Sequence, residues 1–248
     1  MKIKSIFYLL VISAAMLFTG CVLVNIGDLS TASTIQAKGE REIYNIKTGN
    51  FNKIKIEGIC EVRYYAGSSD TVKFEVPPNV REQYEVLVEN GELIIRSANR
   101  ISYNNKNSPI LTVNVSALES VTLEGAGEFI AYDKITADNL SLITLGAGSV
   151  KAELDVNSLS INLSGASDMK LSGRADTASL NLTGAGDISA LSLQTNTAEI
   201  FMSGAGSIKI SCAQTLNINA SGAGSIEYSG SPRISQNTGG FVSIKQIK

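Results

Sequence analysis

Two rows of polar side chains recur at fixed offsets from a repeated glycine, and they are the first candidates for chemistry. Three residues past each glycine stand Glu128, Ser149, Asp168, Asp187, Ser207 and Ser225. Five past stand Ile130, Lys151, Lys170, Ser189, Lys209 and Glu227. In an extended chain these two offsets share one face, because successive side chains alternate. Asp168 and Asp187 then stack beside Lys151, Lys170 and Lys209. One reading is a solvated ladder in which neighbouring charges offset each other. The other is a binding strip for a glycan or a divalent cation. The Asp after Gly-Ala-Gly is similar to the calcium turns of nonapeptide repeats, but only two copies carry it and the period differs.

Other chemistry is largely excluded. The chain has no histidine, which removes the commonest general base and zinc ligand. Ser167-Asp168-Met169-Lys170 has the Ser-x-x-Lys form of penicillin-binding enzymes, but that motif needs a helix start to aim both side chains together. In a strand, Ser167 and Lys170 point to opposite faces. Gly-Ala-Gly is followed by a strand pattern rather than a helix, so it is no dinucleotide fingerprint. Arg174 is the only arginine between Arg100 and Arg233, which leaves no carboxylate-and-arginine groove of a polysaccharide lyase. The formal net charge of −2 argues against nucleic acid as a partner. With no tryptophan and 6% aromatic residues, a sugar-stacking platform is disfavoured. No catalytic, cofactor-binding or metal-ligating residue is assigned.

The elements that must carry these rows follow from the repeat. Gly-Ala-(Gly/Ser) occurs six times, at Gly125, Gly146, Gly165, Gly184, Gly204 and Gly222, with steps of 21, 19, 19, 20 and 18 residues. Apolar residues precede each glycine by four (Val121, Leu142, Ile161, Leu180, Ile200, Ile218) and mostly by two (Leu123, Thr144, Leu163, Leu182, Met202, Ala220). They follow it by four (Phe129, Val150, Met169, Ile188, Ile208, Ile226). This is period-two alternation on both sides of a corner. Like residues in like order stack in register in a parallel β-helix. The glycine is expected to supply a positive φ at the corner, and the alanine to point into it. A further outward row (Thr122, Ile143, Asn162, Asn181, Phe201, Asn219) predicts a partial asparagine ladder.

Residues 39–116 run the same scheme less regularly. Ile54 and Ile56 precede Gly58, and Val62 and Tyr64 follow it. Asn90-Gly91 between apolar runs predicts a hairpin. Residues 230–248 are expected to close the other end as a last partial coil or cap. Cys60 and Cys212 lie 152 residues apart near opposite ends, which predicts two free, buried thiols.

The first residues give an address. Lys2 and Lys4 precede an apolar run from Ile6 to Phe18, the length of a signal h-region rather than a span. It ends in Leu17-Phe18-Thr19-Gly20-Cys21, which resembles a bacterial lipobox with the lipid on Cys21. Residues 1–20 are then a lipoprotein signal peptide and 21–38 a tether.

The stretches FNKIKIEGICEVRYYAGSSDTVKFEV, VLVENGELIIRS and LESVTLEGAGEF, then LSGAS and LTGAGDI, resemble the putative auto-transporter adhesin, head GIN domain family, over about residues 40–247. The resemblance implies an exported β-helical domain, often a lipoprotein, and brings no catalytic residues. The expected fold is thus all-β: a right-handed parallel β-helix with about 20-residue coils over residues 39–248. Residues 39–116 are its irregular start, 117–229 its repeats and 230–248 its end. The function expected is a non-enzymatic binding or adhesion module, membrane-held through its lipid, most naturally at the outer membrane and facing periplasm or surface. Its partner would be a glycan or surface protein. Two alternatives stand beside it: a self-associating, homo-oligomeric envelope solenoid, and a carbohydrate-active enzyme.

Overall fold

The computed structural model describes residues 34–97, 100–104 and 106–247. The signal segment, Cys21 and the tether up to residue 33 lie outside the described residues. The chain winds into a β-solenoid of about 7 turns with coils of roughly 19 residues. Long strands at Ser149–Leu163, Asp168–Leu182, Ala185–Met202 and Ala205–Ala220 pair side by side, all parallel. Register is set by the repeat: Ile161 faces Leu180, Leu180 faces Ile200, and Ile200 faces Ile218.

The three apolar rows on either side of the corner are buried in every copy and form one continuous core. Burial of each Leu or Ile contributes about 1.5–3 kcal/mol, repeated coil after coil. Thr144 alone breaks the apolar rows with a polar side chain. It is fully buried, and its hydroxyl has no partner.

At the corner, both local expectations change. Of the six corner glycines none has positive φ. What demands glycine is the coil beneath. A Cβ on Gly146 would lie 2.1 Å from the carbonyl oxygen of Gly125, one on Gly165 1.8 Å from that of Gly146, and one on Gly222 1.8 Å from that of Gly204. The corners stack so closely that backbone meets backbone, and any side chain there would part the coils. The alanines point the other way: Ala126, Ala147, Ala166, Ala185, Ala205 and Ala223 are all exposed. Ser167, which replaces the second glycine, is buried. Its hydroxyl donates to the carbonyl of Gly146 and accepts from the amide of Gly148, tying its corner to the coil below.

The first third is built differently from a simple run of poorer coils. Lys53–Glu57 and Glu61–Ala66 form a true coil, with Ile54 under Val121, Ile56 under Leu123 and Val62 under Phe129. The next segments do not continue upward. Glu92–Ser97 and Ile110–Val115 pair with the far edges of that same coil. The chain then passes back over it, and Ser120–Leu123 docks on its other side. Leu111 and Val113 therefore lie beneath Val62 and Tyr64, two coils away from the first clear repeat.

Antiparallel strands close this end. Thr71–Val76 runs against Ile110–Val115, and Glu42–Lys47 against Thr71–Val76. Tyr84–Glu89 pairs with Glu92–Ser97 through the predicted hairpin, with Asn90 at φ 52° and Gly91 at φ 76°. Positive φ at both places is the type I′ turn, which favours an Asn-Gly pair. The fold also reaches back before residue 39: Ile35–Gln36 pairs with Ile101–Ser102, and Ala37 is buried beside the Asn107 amide that donates to its carbonyl.

At the other end, Arg233–Thr238 and Phe241–Gln246 add one last parallel coil on Ala205–Ala220 and Ala223–Ser229. Every residue of Arg233–Thr238 is exposed. Cys60 and Cys212 are free and buried. Burial pushes the Cys60 thiol far up, so it stays protonated and chemically quiet.

Candidate functional site

The repeat steps of 21, 19, 19, 20 and 18 residues have a direct structural meaning. Ile130 faces Lys151 and Ile135 faces Leu154, so four residues on the first coil stand opposite two on the second. The surplus leaves the surface as a turn carrying Tyr132, Asp133 and Lys134. On the fourth coil Ser189 faces Lys170 and Ser192 faces Ser172, so one residue is again surplus, and Leu191 bulges outward. The fifth coil is the shorter partner of the fourth, and the ladder shifts again between Ala190 and Gln194. Bulges of this kind re-aim side chains away from the sheet.

Between the two excursions lies a groove of about 350 Å³. Tyr132 and Leu191 stand at its two sides, 52% and 37% exposed. The second and third coils supply Lys151 and Lys170, directly opposite each other on neighbouring strands. Like charges in that relation repel and weaken pairing. No acid within ion-pair distance relieves either of them among the described residues. At the edges the charges are matched: Lys134 pairs with Glu153 at 3.0 Å and Lys209 with Glu227 at 3.2 Å. The lining counts four lysines against one aspartate and one glutamate. That leaves a surplus of two positive charges on a chain of net charge −2.

The tyrosine is held in place. Its ring stacks on Tyr65 with centroids 5.2 Å apart and planes 7° off parallel. The Arg63 guanidinium lies 6.0 Å from the Tyr132 centroid and is itself fixed by Glu61 at 2.6 Å. Asp133 is tied down as well, accepting from the Ala66 amide at 3.0 Å. The low aromatic content of the sequence therefore does not deny this surface an aromatic platform: one tyrosine, braced by another from the coil beneath, supplies it.

Of the five residues proposed from sequence as a strip, the groove gathers Lys151, Lys170 and Lys209 and leaves out Asp168 and Asp187. The two aspartates face each other nearer the corner, and Asp187 accepts from the Ser207 amide at 2.9 Å. No ion pair within 4.0 Å joins these aspartates to these lysines among the described residues; Lys209 pairs with Glu227 instead. Nor do the aspartates gather further ligands: among the described residues, no three acidic or cysteine side chains are placed to hold a metal. Ser167 is buried in the corner and Lys170 is exposed, so the Ser-x-x-Lys pair is split across the sheet.

Tyr132, Lys134 and Leu191 escaped the reading of fixed offsets. Their signal was present in the 21- and 20-residue steps, which mark where extra residues must leave the coil.

The asparagine ladder lies on another flank. Asn181 donates to Asn162 at 3.3 Å, Phe201 interrupts the column, and Asn219 and Asn237 continue it. A shallow groove of about 510 Å³ runs along Asn181, Phe201, Asn219 and Asn237.

A stack of parallel coils that presents columns of side chains along its flank defines a β-solenoid domain of the β-helical class. The chain belongs to the family of the putative auto-transporter adhesin, head GIN domain, which matches residues 50–232. It is similar to the crystal structure of a putative adhesin from Bacteroides fragilis NCTC 9343, with a TM-score of 0.79 and 26% identity over 86% of this chain and 100% of that one. A putative lipid binding protein from Parabacteroides distasonis ATCC 8503 shares the fold, with a TM-score of 0.70 and 22% identity over 87% of this chain and 100% of that one. So does a putative adhesin from Parabacteroides merdae ATCC 43184, at 0.64 and 22% over 88% and 100%. No protein of curated function matches the chain. The family and these neighbours are named for adhesion or binding rather than catalysis. No helix among the described residues is long and apolar enough to cross a membrane.

Proposed function

We propose that this chain is a non-enzymatic binding module of the bacterial envelope, tethered to the outer membrane by a lipid on Cys21 and engaging its ligand on the flank of the solenoid. The observation that carries the binding role is the groove between Tyr132 and Leu191. There two lysines face each other on adjacent strands and no acid among the described residues forms an ion pair with either, which leaves both ammonium groups open to an anionic ligand. The lipobox-like Leu17-Phe18-Thr19-Gly20-Cys21 supports the anchor, and the family supports an exported, adhesion-like role.

A whole-cell test separates the two parts. Cells carrying the chain should take a palmitate analogue on it, and Cys21→Ala should abolish the label and release the protein from membranes. Purified wild-type chain should bind immobilised polysaccharides or cell surfaces, and Lys151→Ala/Lys170→Ala should bind less. Retained label in Cys21→Ala overturns the anchor; the absence of binding to every surface overturns the module.

A second reading has its own observation. The last described coil presents Phe241 at 89% exposure and Ile234 at 38%, on strands whose outer edge meets no strand among the described residues. This favours end-to-end self-association of the solenoid.

A further inference from the structure

From the geometry of the groove between Tyr132 and Leu191 we infer that it binds an acidic glycan, a sugar chain carrying carboxylate or sulfate groups. The inference rests on the binding-module reading and names its ligand class.

Four features converge on that class. First, the charge is arranged in a column rather than scattered. Lys151 and Lys170 occupy paired positions on adjacent parallel strands, so their stems rise about 4.8 Å apart along the solenoid axis. The two coils that carry them make up the floor of the groove, so a chain lying along the strands presents one acidic group to both ammonium groups at once.

Second, both ammonium groups are available. The neighbouring lysines Lys134 and Lys209 are matched by Glu153 and Glu227, whereas no ion pair engages Lys151 or Lys170 among the described residues. An anionic ligand therefore relieves a standing repulsion and displaces no existing pair. Lysine suits a glycan here, because a compact charge with three rotatable donors can donate to oxygens lying in several directions.

Third, the groove offers a ring face beside the charge. Tyr132 is half exposed, yet it is braced by Tyr65 at 5.2 Å and by Arg63 at 6.0 Å. Little rotamer freedom is lost when a sugar's C–H face lies against it. A ligand that needed only charge would gain nothing from an ordered aromatic wall.

Fourth, the shape selects a slender ligand. The floor spans two coils, and the excursions at Tyr132–Lys134 and Leu191 close it on either side. A planar membrane surface would meet these shoulders before both lysines, whereas a single sugar chain fits between them.

The test uses the full-length chain in detergent micelles. Its binding to oligogalacturonate, to the same oligomer methyl-esterified, and to phosphatidylglycerol vesicles is measured by competition. Saturable binding to oligogalacturonate is expected, weakened at least tenfold by methyl-esterification. Lys151→Glu/Lys170→Glu should lose at least tenfold, and Tyr132→Ala several-fold. Both variants should keep the wild-type melting temperature to within a few degrees, because all three side chains leave the surface. A sulfated oligosaccharide competing as well as the uronate supports the same inference. Equal binding of the ester and the acid overturns it. So does competition by the vesicles with no binding of either oligomer, and so does an affinity that both variants leave unchanged. Tight binding to neutral glycans that ignores Lys151→Glu/Lys170→Glu overturns the ligand class while leaving the module reading intact. Failure to bind any glycan, vesicle or cell surface overturns both.

Discussion

At the scale of single residues, the corner glycines illustrate how the same residue can be required for different reasons. Flexibility is the ordinary argument for glycine in a turn. Here the backbone is unremarkable and the demand comes from the coil below. The distinction has a measurable consequence. Gly165→Ala places its Cβ 1.8 Å from the carbonyl oxygen of Gly146, a backbone atom with nowhere to go. It should destabilise the fold by more than ~3 kcal/mol, the range reserved for forced clashes in packed structure. Ala166→Ser, one residue on and exposed, should stay within about 0.5 kcal/mol. Urea unfolding of the two variants decides the matter: comparable losses would return the corner to a question of local flexibility. The identity of these glycines as structural was legible in the sequence, since six copies at a fixed offset speak of a stack. Their reason was not, because no sequence pattern distinguishes a glycine that bends from one that merely lacks a Cβ.

At the scale of elements, the coil and its inward rows were legible, and the site was half legible. Alternation around each glycine is a local property of the chain, so it survives into the fold unchanged. The groove depends instead on differences between coils. Lys151 and Lys170 were found because they sit at a repeated offset, while Tyr132 and Leu191 sit in residues that the repeat cannot absorb. The antiparallel start was the least legible part. Only the Asn90-Gly91 hairpin was announced by its turn residues, and the passage of the chain back across its own first coil has no local signature.

That start contains a second testable element. Tyr84 bonds through its hydroxyl to the carbonyl of Ile59 and pairs with the hydroxyl of Tyr103. Burial raises both phenols, Tyr103 up to about 12. A folded value above the unfolded value of about 10 means that ionisation favours the unfolded chain. This stabilisation is complete below pH about 10 and is lost as pH rises through the folded values. Stability should therefore fall steeply between about pH 10 and 12. Tyr84→Phe/Tyr103→Phe should be weaker at neutral pH yet show a shallower alkaline fall. An unchanged slope in the double variant would remove these two phenols from the account.

At the scale of the whole molecule, the two ends are treated differently. The start is folded over by antiparallel strands, while the last described coil continues the parallel ladder to an edge that no strand among the described residues covers. Open edges recruit partners, and the aromatic ring of Phe241 lies on that coil. If this end is used, Cys21→Ala chain free of lipid should sediment as dimers or larger species at high concentration. Phe241→Ser/Ile234→Ser should then shift it to monomer. A wild-type chain that stays monomeric at every concentration would leave the end as a simple terminus. The flank and the end are separate surfaces, so the double variant should still bind whatever the groove binds.

The order in which the coils lie also bears on how the chain reaches its native state. Within the repeats each new strand meets a partner about 19 residues back, as Ser160 meets Ser141. The first repeat has no such neighbour: Ser120 must find Lys53, 67 residues away, with Glu92–Ser97 settling on the opposite side of the same strand. Closing that longer loop costs only ~1 kcal/mol more than closing a repeat-length one, on the logarithmic dependence of closure entropy on length. The contact pattern thus sets one long-range closure, on the Lys53–Ala66 coil, apart from a series of closures about 19 residues long, and the long one adds most to the contact order of the fold.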